Sequence, residues 1–135
     1  MALTTDTAAT EKPDYAFSVR VKTNYLADQS NANQSRFVYS YTVTIQNVGK
    51  VAAQLISRHW VITNANQEVQ EVKGLGVIGE QPLLEPNQQF EYTSGTVLTT
   101  ISGEMHGTYQ LVAVDGTWFE TTIAPFTLDE PRVLH

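Results

Sequence analysis

The sequence predicts an all-β fold of two packed antiparallel sheets, and three observations carry that expectation. Apolar and polar residues alternate with a period of two through most of the chain, as strands with one buried face require. Asn, Asp, Gly and Pro interrupt the alternating runs at short intervals, and these are the residues that reverse a backbone. Helical periodicity is nearly absent, so no crossover helix is available to join parallel strands.

The first strand is expected over residues 15–26. Tyr15, Phe17, Val19 and Val21 fall on one face, and Ser18, Arg20, Lys22 and Asn24 on the other, which should meet water. A polar loop at 28–35 leads to a longer strand at 36–48, whose core face is Phe37, Tyr39, Tyr41, Val43 and Ile45. Asn47, Gly49 and Lys50 turn the chain, because Asn and Gly accept a left-handed backbone. A third strand follows at 51–63. Strict alternation points His59 with Leu55, Ser57 and Val61, and sets Arg58 and Trp60 on the opposite face with Ile56 and Ile62. Residues 64–67 turn again, 68–73 read as a short strand, and a loop rich in Gly and Pro comes next. Strand character resumes at 88–98. Asp115 and Gly116 stand between runs at 109–114 and 117–123, a strong hairpin signature, so the last two strands should pair antiparallel. About seven to nine strands with short turns describe an immunoglobulin- or fibronectin type III-like sandwich, with a closed barrel as the alternative. Within it Tyr109, two residues after Gly107, is placed like a tyrosine corner whose hydroxyl ties a strand to a neighbouring loop.

The 135 residues suit one domain, with residues 1–13 expected as a flexible tail and 14–135 as the sandwich. Two Trp, six Tyr and five Phe supply enough bulk for its core. There is no cysteine, which removes disulfides, thiolate zinc sites and thiol nucleophiles and fits a reducing compartment. The start of the chain lacks a basic stretch followed by an apolar one, and no apolar run approaches the roughly 20 residues of a membrane span. A cytoplasmic location without membrane association is therefore expected. A net charge of −6 argues against nucleic-acid binding. The first 63 residues nevertheless carry six Lys and Arg against four acidic residues, whereas Asn64 onward has two against ten, so an anion site would belong to the first half.

Gly74, Gly76 and Gly79 spell G-x-G-x-x-G in GLGVIGEQP, a pattern known for cradling pyrophosphate where a helix begins. Pro82 and Pro86 follow at once and no βαβ pattern appears, so a dinucleotide fold is discounted. Three readings of the loop remain: a kink between strands, a backbone nest for a small anion or nucleotide, and a surface for a protein partner. Its candidate binding residues are Lys73, Gly74, Gly76, Gly79, Glu80 and Gln81, although Glu68, Glu71 and Glu80 would repel a phosphate. Arg58, His59, Trp60, Tyr92 and Ser94 form a candidate interaction surface, with Trp60 also readable as a core anchor. His59, His106 and His135 lack ligand spacing, so no metal site and no cofactor are assigned; a weak oxygen-ligand site for a hard divalent cation from Glu68, Glu71 and Glu80 is the alternative, with no calcium-loop pattern behind it. There is no G-x-S-x-G elbow, and Ser94 in YTSG has no base placed by sequence, so catalysis is not expected.

These residues also carry a resemblance to the ApaG family, alternatively called CorD, from residue 15 to 135. It rests on YTVTIQNVG at 41–49, RHWVITN at 58–64, EVKGLGVIGEQPLLEP at 71–86, EYTSG at 91–95 and G-x-M-x-G-x-Y at 103–109. The resemblance implies a fibronectin type III-like sandwich of the bacterial cytoplasm with uncharacterised biochemical activity. Bacterial members sit beside a diadenosine tetraphosphatase, the second name records cobalt and magnesium tolerance, and eukaryotic relatives occur in an F-box protein and a DNA polymerase-interacting protein. Those settings imply a non-catalytic module binding an unknown protein partner, with pyrophosphate binding at residues 74–79 or a role in divalent-cation tolerance as alternatives. A homodimer is left open. The sequence departs from the family pattern at Ala65, Gln67 and Asn87, where glycine is usual, at Ile101 in place of a proline, and at Ala124–Pro125, which shifts a proline by one.

Overall fold

A computed structural model describes residues 12–130; positions 1–11 of the expected tail, and His135, lie outside the described residues. Eight strands follow in chain order: β1 (Phe17–Tyr25), β2 (Phe37–Asn47), β3 (Ala53–Asn64), β4 (Val69–Leu75), β5 (Leu83–Leu84), β6 (Gln89–Leu98), β7 (Gly103–Ala113) and β8 (Trp118–Leu128). One sheet has the order β1-β2-β6. The other runs β4-β3-β7-β8, with β5 pairing to β3 beyond the end of β4. Every pairing is antiparallel. No helix among the described residues is long and apolar enough to cross a membrane.

The core lies between the sheets, where alternate residues of the central strands meet. Tyr39, Tyr41, Val43 and Ile45 of β2 face Met105, Tyr109, Leu111 and Ala113 of β7, all buried. Trp60 joins the layers: its ring lies 5.4 Å from Tyr41, 5.8 Å from Phe126 and 6.3 Å from Tyr109, each edge to face. Buried Asn47, which closes β2, donates from Nδ2 to the Val51 and Leu84 carbonyls at 3.0 and 2.9 Å and accepts the Gly49 N–H at 2.9 Å. One side chain thus ties a strand, its turn and β5 together. Tyr15 reaches from the start of the sandwich to its last hairpin, donating to Asp115 Oδ2 at 2.5 Å.

The two-sheet architecture agrees with the alternation, but four local expectations need correction. In β3 the pairing with β7 steps from Leu55–Leu111 to Ser57–Gln110, leaving Ile56 as the extra residue of a bulge. An extra residue reverses the facing of everything beyond it. Leu55 therefore shares the core side with Trp60 and Ile62 and is parted from His59. Tyr109 is not a corner: its hydroxyl lies against that of Tyr92 inside the core, whereas Tyr39 donates to the Ile101 carbonyl and ties a strand to a loop. β7 begins at Gly103 rather than near 109, because Gly103 and Gly107 are strand residues. The Asp115–Gly116 hairpin turns through three residues, with Gly116 at φ 91° and its N–H on the Ala113 carbonyl.

Candidate functional site

Each of the three glycines of the G-x-G-x-x-G segment has a structural reason of its own. Gly74 lies opposite Arg58 in the β3–β4 ladder, and a Cβ there would sit 2.9–3.1 Å from the guanidinium. The missing side chain lets Arg58 lie across β4, where Nη1 donates to the carbonyls of Leu75 (3.0 Å) and Gly76 (2.8 Å). Gly76 adopts φ +62°, and a Cβ on it would fall 2.2 Å from the Glu80 carbonyl oxygen. Ile78 and Gly79 have φ 43° and 80°, the positive pair that a type I′ turn uses. Val77 and Glu80 close that turn with reciprocal N–H···O bonds of 2.8 and 2.9 Å.

No helix starts at Gly79, since the chain runs on into β5. The Gly76 N–H is spent on the Ile56 carbonyl, and those of Val77 and Glu80 on each other. The backbone-nest reading of this loop therefore loses most of its donors. Gln81 is also structural: its Nε2 donates to the Ile56 carbonyl at 2.9 Å, satisfying the bulge.

The expected interaction residues separate into two places. His59 stands on the outer face of the five-stranded sheet, with Nε2 2.7 Å from Glu71 Oε1. It lines a shallow hollow of about 470 Å3 with Lys73, Leu75 and Gln110. Trp60 and Ser94 meet instead in a cleft of about 230 Å3 between the residues of β4 and β6, and Arg58 lines both openings. Trp60 and Tyr92 are 2% and 5% exposed, so Trp60 takes its core-anchor reading and Tyr92 leaves the expected surface. The Tyr92 and Tyr109 hydroxyls sit 2.5 Å apart. Burial pushes Tyr92 up to about 12 from the usual 10 and raises Tyr109 as well. Glu68 is taken by Asn64 and Glu71 by His59, and among the described residues no three His, Asp or Glu side chains gather to hold a metal ion.

Sequence reasoning missed the apolar side chains that gather at the β4 edge and its hairpin. Leu75 is 74% exposed, and Val69, Ile78 and Leu83 are exposed too. The signal was present in LGVIG, where apolar residues occupy turn positions that polar ones usually fill. Tyr41 was assigned only to the core, although it also lines the cleft.

Fold and site together define a fibronectin type III-like β-sandwich whose unusual residues collect at one sheet edge, in a glycine hairpin and in the cleft beside it. The ApaG domain model matches residues 27–113, and the chain belongs to the ApaG family. Protein ApaG of Methylobacillus flagellatus is 60% identical over 126 residues, covering 93% of this chain and 99% of that one. The Thiobacillus denitrificans ApaG is 59% identical over 125 residues, covering 93% and 98%. The crystal structure of an ApaA protein from Bordetella pertussis, 50% identical, superposes with a TM-score of 0.87 over 91% of this chain and 99% of that one.

Proposed function

We propose that the protein is a non-catalytic cytoplasmic binding module that takes up an extended segment of a protein partner along β4. The observation that carries this reading is the open ladder of that strand. Among the described residues β4 pairs only with β3. The bonds from Gly76 N–H to Ile56 and from Asn64 N–H to Glu68 turn the even-numbered residues of this stretch toward β3. By alternation Val69, Glu71 and Lys73 aim N–H and C=O away from the sheet. Edge strands are commonly blunted by proline or an irregular register. β8, the opposite edge, carries Pro125 and a register shift facing Met105–Gly107, whereas β4 carries neither. Exposed Val69, Leu75 and Ile78 supply apolar contact beside the free backbone, the combination that strand addition uses.

Lys73→Pro tests this directly. It deletes an outward N–H while sparing the bonds to β3, a position proline tolerates. Partners captured from cytoplasmic lysate by the wild-type protein and identified by mass spectrometry should be lost with Lys73→Pro, while its thermal midpoint stays within a few degrees. An unchanged set of partners would sink the proposal. Pairing of β4 with a second copy would register as a dimer that depends on concentration and that the same substitution abolishes.

A further inference from the structure

The side of the sandwich where β4 ends one sheet and β6 ends the other contains the 230 Å3 cleft, and its lining has more hydrogen-bond donors than the protein uses. Tyr41 lies opposite Ser94 in one sheet and Trp60 opposite Val72 in the other, so the four approach the opening in register. Tyr41 is 6% exposed and Trp60 2%, yet neither the Tyr41 hydroxyl nor the Trp60 Nε1–H has a partner among the described residues. Every fully enclosed side-chain N or O among those residues does have one. These two polar atoms therefore reach open space, and the cleft is the opening that both residues line. Arg58 spends Nη1 on two carbonyls, which leaves Nε and Nη2 unpartnered, and the Ser94 hydroxyl is likewise unpartnered among the described residues. None of the lining residues is acidic, in a chain whose net charge is −6.

The geometry points to a binding site for a carboxylate carried on an apolar stem. Arg58 and Trp60 can only donate, and Tyr41 and Ser94 can donate, so the group they share must accept. One guanidinium among neutral donors balances a single negative charge. A phosphate dianion would bring a second charge into a half-enclosed site with nothing to match it. The planar guanidinium fork suits the two oxygens of a carboxylate, and Trp60, Ile62 and Val72 wall the space for a stem. The volume falls below the roughly 300–1,000 Å3 of drug-sized sites, so the stem is ring-sized or smaller. This site lies between the sheets and does not depend on strand addition to β4; either reading can fail without the other.

Benzoate titrated into the 15N-labelled full chain tests it, with benzyl alcohol as the neutral counterpart and inorganic phosphate as the second anion. Two indole N–H signals report: Trp60 in the cleft, and Trp118, 62% exposed, as an internal control. Benzoate should move the Trp60 signal saturably and leave Trp118 in place. Benzyl alcohol, which loses the charge-assisted hydrogen bond, and phosphate, which brings an unmatched second charge, should each bind at least about tenfold more weakly. Tyr41→Phe should weaken benzoate about threefold, and Arg58→Gln by about tenfold or more. Arg58 also braces the glycine hairpin, so if that variant unfolds, Tyr41→Phe and benzyl alcohol decide the matter. Benzoate binding that is absent, equal to that of benzyl alcohol, or unchanged in Tyr41→Phe would overturn the site. Tighter binding of phosphate would overturn the choice of carboxylate.

Discussion

In the middle of the five-stranded sheet a Cβ on Gly107 would lie 2.1 Å from the His59 carbonyl oxygen, whereas on Gly79, at the tip of the β4 hairpin, it would meet nothing within 4 Å. The same contrast holds for polar groups. In the centre the Tyr92 and Tyr109 hydroxyls bond each other and Asn47 makes three bonds. At the open side Arg58, Trp60 and Tyr41 keep donors in reserve, Leu75 faces water, and Ile78 holds a left-handed backbone. Stability is concentrated where β3 and β7 meet, and that rigid centre lets the β4 side keep unmatched groups.

Gly107→Ala is the strongest way to break this contrast. Its Cβ would push β3 from β7, and the loss should reach about 3 kcal/mol or more, since close-packed backbone has no flexible side chain to yield. Gly79→Ala adds only left-handed strain, about 1 kcal/mol. Urea unfolding monitored by circular dichroism compares them, and similar midpoints would dissolve the distinction between centre and edge.

The two structural asparagines sharpen it. Asn47 is enclosed, while Asn64, whose Oδ1 accepts from Asn66 and Glu68, closes the exposed turn before β4. Asn47→Ala takes the enclosed Leu84 carbonyl's amide donor away, leaves the Gly49 N–H without its partner and should cost about 3 kcal/mol; Asn64→Ala, whose partners can turn to water, about 1 kcal/mol. The test is again the difference in unfolding midpoints.

The tyrosine pair predicts an alkaline pH dependence of the centre, to which buried Tyr39, likewise raised to about 12, adds its own share. Burial raises the folded-state pKa of Tyr92 to about 12 and raises that of Tyr109 too, against 10 in an open chain. Above pH 10 the unfolded chain loses protons that the folded one retains. Their contribution is thus complete below pH 10 and is lost as pH rises through about 12. Tyr92→Phe should shrink the decline of thermal midpoint between pH 9 and about 12, while removing about 1 kcal/mol at neutral pH with its hydrogen bond. An unaltered alkaline slope would place the sensitive groups elsewhere.

How much of this was legible follows from where the pattern stays regular. β2 could be read because Phe37 to Ile45 alternate without interruption, and the discounting of a dinucleotide loop held because Pro82 forbids a helix there. The facing of β3 was not legible, since nothing in QLISRHW marks Ile56 as a bulge and a single extra residue inverts the rest. The start of β7 was hidden because Gly103 and Gly107 look like loop residues until the approach of β3 is known. Of the five residues grouped as one surface, Arg58, Trp60 and Ser94 line one cleft, while His59 lies on the outer face and Tyr92 in the core. Tyr41 escaped notice because alternation assigns a side chain to a face without saying where its hydroxyl ends.

The smallest effects come from left-handed residues around the β4 hairpin and its neighbouring turns. Gln67 at φ 65° and Asn87 at φ 74° hold a left-handed backbone that glycine adopts freely, and Ile78 at φ 43° is β-branched in a turn that favours Asn. Ile78→Asn should stabilise by about 1 kcal/mol, because Asn tolerates this backbone and the exposed isoleucine buries little surface. Gln67→Gly should gain about 0.5 kcal/mol, the relief of strain being offset in part by the freedom glycine adds to the unfolded chain. Asn87→Gly should change almost nothing, since Asn already adopts the left-handed region with ease. The order of these three unfolding midpoints tests the strain argument, and Ile78→Asn carries a second readout. If the hairpin tolerates its isoleucine for the sake of a partner, the more stable variant should capture less of it from lysate. Undiminished capture would leave Ile78 as strain without a purpose in binding.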